Sequence, residues 1–278
     1  IPALRAAHAG APQGAREQGL SAALPPRSAE LAERLVEAWR SGQPLSALEA
    51  TRLAPPDDTA ACAIQDAVGA ALGWFPQGRA RAWKIASIPP TAAPVPDAFI
   101  LEAPRTLHPE NFHTLIGIEV ELVLRLGRAL PADCSETEAA AAIDGIFAAI
   151  EIFDVRARDW NTLPRTFLLA DHQMHGRLLL GTGIEGGWQD SHAATELVLA
   201  VNGEEKLRRH GGHALGSPTA ILPWLASHVA ARADDLQKGD LIASGTWNGL
   251  YEARPGERIE ARFAGLGSVV VEIGAQRA

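Results

Sequence analysis

The amino-acid sequence predicts an α+β protein, a small helical part followed by a strand-rich part. Three observations carry that reading. Apolar residues recur at helical spacing across residues 28–72. After Gly78 the texture changes to short β-branched runs broken by Gly and Pro. Inside two of those runs sit carboxylates, which an otherwise buried strand does not tolerate without a partner.

The 278 residues are 47 % apolar and 21 % charged, enough for a sizeable core and unlike a disordered chain. Net charge is −8 and no Lys/Arg-rich block occurs, which argues against nucleic acid as a partner. Two cysteines, Cys62 and Cys134, do not make a disulfide framework, so a reducing cytoplasm is the default. No apolar run approaches the ~20 residues that span a bilayer. The chain begins at Ile1 rather than Met, which leaves room for a removed leader, although no secretory signal is visible.

Residues 1–27, rich in Ala, Gly, Pro and Gln, read as a leader or arm. Residues 28–78 read as an N-terminal helical subdomain. Ser28 is the expected N-cap of its first helix, with Leu31, Leu35, Ala38 and Trp39 on one face and Gly42 at the end. A second helix starts near Asp58, with Ile64, Ala67, Val68, Ala71 and Leu72 facing inward. Residues 79–278 read as the catalytic domain. Residues 81–85 form a short strand carrying Lys84, and a proline-rich loop with Asp97 follows. Residues 116–125 form the strand of Glu119 and Glu121. Ser135 and Glu138 make a capping box. The helix it opens is expected to place Ile143, Ile146, Phe147 and Ile150 on one face, then run into the strand of Glu151. Asn202-Gly203 signals a type I′ hairpin between residues 195–201 and 204–208. Ser217-Pro218 opens a last helix. Pro223 inside it predicts a kink or a late start. Residues 240–243, 257–263 and 268–273 read as strands.

Residues two apart on a strand face the same side, so Glu119 and Glu121 point together. With Glu151 they offer three carboxylates, a donor set for a hard divalent cation. A solvated strand face would show the same Glu-x-Glu pattern. His172 with His175, and His210 with His213, are three residues apart, but neither pair lies on a clear helix, which argues against zinc.

The order of motifs resembles the fumarylacetoacetate hydrolase superfamily, in its 2-keto-4-pentenoate hydratase and 4-oxalocrotonate decarboxylase branch. The resemblance covers about residues 80–275. It rests on W-K-I (83–85), P-D (96–97), G-I-E-V-E-L-V-L (117–124), I-E-I-F-D-V-R-A-R-D-W (150–160), V-N-G-E (201–204), L-G-S-P (215–218), K-G-D-L-I-A-S-G-T (238–246) and G-L-G-S-V (265–269). It implies a mixed β-roll, usually a homodimer or higher homo-oligomer. It implies Mg²⁺ or Mn²⁺ held by Glu119, Glu121 and Glu151, with Lys84 and Asp97 in proton transfer. Ser244, Gly245 and Thr246 would line the substrate carboxylate.

The chain departs from the hydratase pattern around Lys84, at residues 172–176, and at Trp247 and Asn248. If these positions line the pocket, the His172–His175 turn and the Trp247–Asn248 step predict a substrate with a second polar end. The expected activity is a metal-dependent lyase acting on a 2-keto acid or 2-hydroxydienoate, a hydratase first and a decarboxylase second. An acylpyruvate C–C hydrolase is less favoured, because that branch usually has Asp as third ligand and here the position is Glu151.

Overall fold

The computed structural model describes residues 24–275. Most of the expected arm, residues 1–23, lies outside the described residues. Three helices come first: α1 (Pro26–Ser41), α2 (Ala47–Leu53) and α3 (Asp58–Leu72). The start of α1 is three residues earlier than expected: Pro25 takes the N-cap position and Ser28 is buried inside the helix. The short helix α2 was not expected, yet Ser46 caps it by accepting from the Glu49 N–H, a Ser-x-x-Glu signal visible in the sequence. Asp57 caps α3 in the same way.

The remainder carries strands β1 (Ala82–Ser87), β2 (Pro90–Pro94), β3 (Ile100–Glu102), β4 (Arg105–Leu107), β5 (Gly117–Leu126), β6 (Ile143–Phe153), β7 (His175–Glu185), β8 (Glu196–Val201), β9 (Glu204–His210), β10 (Leu241–Ala243), β11 (Tyr251–Glu252), β12 (Arg258–Phe263) and β13 (Gly267–Ile273). Between them lie short helices α4 (Glu136–Ala140) and α5 (Arg165–Ala170), and the longer α6 (Leu222–Ala231). No helix among the described residues is long and apolar enough to cross a membrane.

Two sheets result. The larger has eight strands in the order β2-β1-β10-β5-β6-β7-β3, with β11 also paired to β5. The smaller has five, β4-β13-β12-β8-β9. The inner faces meet in the main core. Ile118, Val120, Leu122 and Leu124 of β5 and Ile146, Ala148, Ile150 and Ile152 of β6 pack toward Leu197, Leu199, Ile259, Phe263 and Val271 of the smaller sheet. The alternate residues of β5 therefore face the other way, and Glu119 and Glu121 are among them. Helices α1 and α3 share a second apolar cluster with Phe153, Val155, Leu163, Phe167 and Leu169.

One expected element is corrected. Residues 143–153 are strand throughout, and α4 ends at Ala140. The Ile143, Ile146, Phe147, Ile150 spacing imitates a helix because β6 is apolar on both faces, so its period of two is hidden. Two other signals hold. Asn202 and Gly203 both have positive φ, as a type I′ turn requires. Pro223 falls in the first turn of α6, which makes it a late start rather than a kink.

Candidate metal and substrate site

Strands β5 and β6 pair antiparallel with Glu119 directly opposite Glu151. Glu121 lies two residues along the same face of β5. Ligand oxygens of the three carboxylates come within 4.8 Å of one another, and no other such cluster is found among the described residues. Lys84 reaches the same point from β1, which is three strands from β6 in sheet order. A flat sheet would keep the two backbones about 14 Å apart. The Lys84 ammonium nevertheless forms an ion pair with Glu151 Oε1. The sheet is curled, and the curl brings the lysine over the carboxylates.

The cluster is short of positive charge. Burial, with the neighbouring Glu151, raises the Glu119 pKa to about 7. Burial and both other carboxylates push Glu121 well above the usual range, against the Gly245 N–H that donates to its Oε2 at 2.9 Å. Burial pushes Glu151 the same way, but Lys84 and His175 outweigh it and hold that carboxyl below its ordinary value. Oε1 of Glu151 accepts from both Lys84 and His175 Nδ1, whereas the buried Oε2 has no partner among the described residues. An all-oxygen set with an orphaned carboxylate oxygen and surplus negative charge fits a hard divalent cation.

A cavity of about 240 Å³ opens onto this cluster. Beside the carboxylates and Lys84 it is lined by Ile85, Ala86, Ile88, Phe153, Gln173, Met174, His213, Ala214, Gly245 and Thr246, among others. One wall is a turn in which His172, Gln173 and Met174 have φ of 47°, 52° and 62°. Three consecutive left-handed residues other than Gly cost roughly 1–2 kcal/mol each. The turn aims the Gln173 carbonyl at Lys84 Nζ, 2.7 Å away. Two of the three ammonium donors are thereby fixed, and the third is left to the cavity.

The structure brings together Lys84, Glu119, Glu121, Glu151, Gly245 and Thr246. It does not bring in the others. The Asp97 side chain is 48 % exposed and pairs with Arg81 at 3.6 Å, away from the cavity. Ser244 is buried and its hydroxyl donates to the Leu122 carbonyl, so only the following two residues of that loop reach the cavity. His172 is buried against Trp74, ring centroids 4.8 Å apart, because its left-handed backbone turns the ring away from the cavity. Trp247 is buried in the main core against Phe263. Asn248 takes ladder positions on β5, accepting from the Val120 N–H and donating to the Ile118 carbonyl. The expectation of a second polar substrate end rested on the His172–His175 turn and the Trp247–Asn248 step; with His172 and Trp247 packed elsewhere and His175 and Asn248 already engaged, it loses that basis.

Asp154, Arg156, Arg158 and Asp159 lie beyond the end of β6, which stops at Phe153. Gln173 and His213 are site residues that sequence reasoning missed; His175 lay in the turn it singled out, but the contact of its ring with Glu151 was not foreseen. His213 donates through Nε2 to the Ser244 carbonyl at 2.7 Å and so braces the Gly245 loop. The departure from the hydratase pattern at residues 172–176 was the available signal.

The Fumarylacetoacetate (FAA) hydrolase C-terminal family profile matches residues 76–273. The 2-keto-4-pentenoate hydratase of Paraburkholderia xenovorans (strain LB400) is 31 % identical over 157 residues, 56 % of this chain and 58 % of that protein. The 4-oxalocrotonate decarboxylase of Pseudomonas putida is 27 % identical over 176 residues, 63 % of this chain and 64 % of that one. The matched region is thus under two thirds of either relative's length. The solved 4-oxalocrotonate decarboxylase from Pseudomonas putida G7, complexed with magnesium and adipate, aligns with a TM-score of 0.77. That alignment covers 89 % of this chain and 97 % of the other at 21 % identity, a likeness of fold.

Proposed function

Because the chain belongs to the fumarylacetoacetate hydrolase C-terminal family, we propose that it is a divalent-metal-dependent lyase that hydrates a 2-hydroxydienoate of the 2-keto-4-pentenoate type. The observation that carries this is the joint placement of Glu119, Glu121, Glu151 and Lys84 at one cavity. The three glutamates would hold Mg²⁺ or Mn²⁺. When bound there, the cation supplies Lewis acidity toward the carboxylate and 2-oxo oxygen of a 2-keto acid. Hydration adds a proton and a hydroxyl across a carbon–carbon double bond. Lys84 Nζ holds the proton to be moved, since its third donor faces the cavity and its other two are fixed by Glu151 and the Gln173 carbonyl. The left-handed turn fixes the direction of that donor. Asp97 has no part in this scheme.

The second reading is a 4-oxalocrotonate-type decarboxylase, favoured by the sequence relative of that name. Its substrate carries a second carboxylate. Among the described residues lining the cavity, no Arg occurs and Lys84 is committed to Glu151. Burial keeps His213 below its ordinary pKa, so it is a neutral neighbour. Ile85, Ala86, Ile88, Phe153, Met174 and Ala214 make the rest of the wall largely apolar. That lining suits an apolar distal end. The proposal places the enzyme in the cytoplasm as a homo-oligomer, a setting in which Cys62 and Cys134, both free, need no partner.

The test is product identification after incubation with Mg²⁺ and a panel of 2-hydroxydienoates and oxalocrotonates. The expected result is water added to 2-hydroxypenta-2,4-dienoate with little release of CO₂ from oxalocrotonate. Faster decarboxylation than hydration would make the second reading the correct one.

A further inference from the structure

Glu151 is fully buried, and its two oxygens are treated differently by the protein. Oε1 receives Lys84 Nζ and, at 2.9 Å, His175 Nδ1. Oε2 receives nothing. A carboxylate left free to rotate about its last bond would exchange the two. Lys84 alone cannot prevent this, because a flexible ammonium follows whichever oxygen turns toward it.

His175 can prevent it. Its backbone is held from two sides and its ring from a third. Arg156 NH1 donates to the His175 carbonyl at 2.7 Å. The Phe99 ring lies stacked on the imidazole, 6.3 Å between centroids and 27° between planes. Gly176 lets the start of β7 lie close against β6, where a Cβ would come within 2.8 Å of the Ile152 carbonyl oxygen. An imidazole so fixed, bonded to an ionised carboxylate through Nδ1, carries its proton on Nδ1. Its Nε2 is buried without a partner, so no competing bond pulls the ring away.

We infer that His175 is a positioning residue that commits Glu151 Oε1 to the protein and leaves Oε2 for the cation. This rests on the proposed metal reading of the three glutamates and adds a residue that the family-level expectation did not contain. The segment from His172 to His175 is then one brace with two contacts. The Gln173 carbonyl sets Lys84, and the His175 ring sets Glu151. Losing an outer-shell partner of a metal ligand typically weakens metal affinity about 10- to 100-fold.

The experiment measures Mn²⁺ dissociation constants by titration calorimetry on wild type, Glu121→Gln, His175→Phe and His175→Asn, each first checked for folding by circular dichroism. His175→Phe keeps a ring against Phe99 and removes the donor. His175→Asn places Nδ2 the same two bonds beyond Cβ as the imidazole Nδ1 and restores the donor. The inference predicts Mn²⁺ binding weakened about 10- to 100-fold in His175→Phe and returned to within a few-fold of wild type in His175→Asn. If Glu121→Gln abolishes binding while His175→Phe binds like wild type, the role of His175 is wrong and the metal site stands. Equal weakening in both His175 variants also overturns it, since packing alone would then be responsible. If wild type itself binds no Mn²⁺, both the metal reading and this inference fall.

Discussion

Two buried clusters of charge lie side by side in this molecule, and they are built on opposite terms. In the first, Asp154, Arg156 and Asp171 sit with His113 under the helical layer. Every oxygen of Asp154 and Asp171 accepts at least one hydrogen bond: Asp154 from the His113, Thr114 and Val155 backbone and from His113 Nδ1, Asp171 from Arg156 N and Nε. All three guanidinium nitrogens of Arg156 donate, and the group lies over the Trp39 ring at 4.4 Å. In the second cluster three glutamates face one lysine, and Glu151 Oε2 is left bare. The first is closed and serves the fold. The second is open and serves a ligand. Burial alone does not mark a functional site; burial with unmet demand does.

The largest expected effect falls on the closed cluster. Arg156→Leu should lower unfolding free energy by about 3–5 kcal/mol, because it leaves two buried carboxylates facing each other. Chemical denaturation measures this, and a loss under about 1 kcal/mol would mean the cluster is not structural.

The open cluster should respond in the opposite sense. Glu121→Gln removes a mutually repelling charge while an amide oxygen can still accept from Gly245. At pH 8 without metal the denaturation midpoint should stay or rise, while turnover falls about 10³-fold, the several kcal/mol a bound cation supplies. A lower midpoint would place Glu121 in the fold rather than the site. Lys84→Met should bind Mn²⁺ at least as well as wild type, since a repelling cation is gone, and lose about 10²- to 10⁴-fold in turnover. Near-normal turnover in that variant would move the proton elsewhere. The smallest effect belongs to Asp97→Ala. Its carboxylate is half in solvent and, among the described residues, pairs with Arg81, so activity should stay within about twofold and stability within about 0.5 kcal/mol. A large loss of turnover would restore the role that the Pro96-Asp97 motif suggested.

What could be read from the sequence followed from local rules. Glu119 and Glu121 could be assigned to one face because a strand has a period of two, and Ser135 with Glu138 could be read because a capping box spans one turn. Residues 143–153 misled because a strand buried on both faces loses its alternation. His175 was not legible because its contact with Glu151 joins residues 24 apart across two strands. Trp247 was placed in the pocket by its proximity to the Ser244–Thr246 loop, but the chain turns its ring into the core within one residue. Motif proximity fixes where the backbone runs and not which way a side chain points.

The central claim is that the three glutamates are held together for a cation. Its most direct test is the thermal midpoint of the metal-stripped protein from pH 5 to 8, with and without Mn²⁺. Glu119 titrates near 7 in the folded protein against an ordinary 4.5. Between those values the folded state holds more protons than the unfolded one, so stability is greatest below the lower value and declines as pH rises through the upper. Buried His172, His175, His213 and His228, each held below its ordinary pKa, give the opposite slope up to about pH 6.5. The metal-free midpoint should therefore fall with pH relative to a Glu119→Gln variant, and saturating Mn²⁺ should recover it most at pH 8, where the carboxylates are ionised. A midpoint that neither falls with pH relative to that variant nor responds to Mn²⁺ would contradict the account.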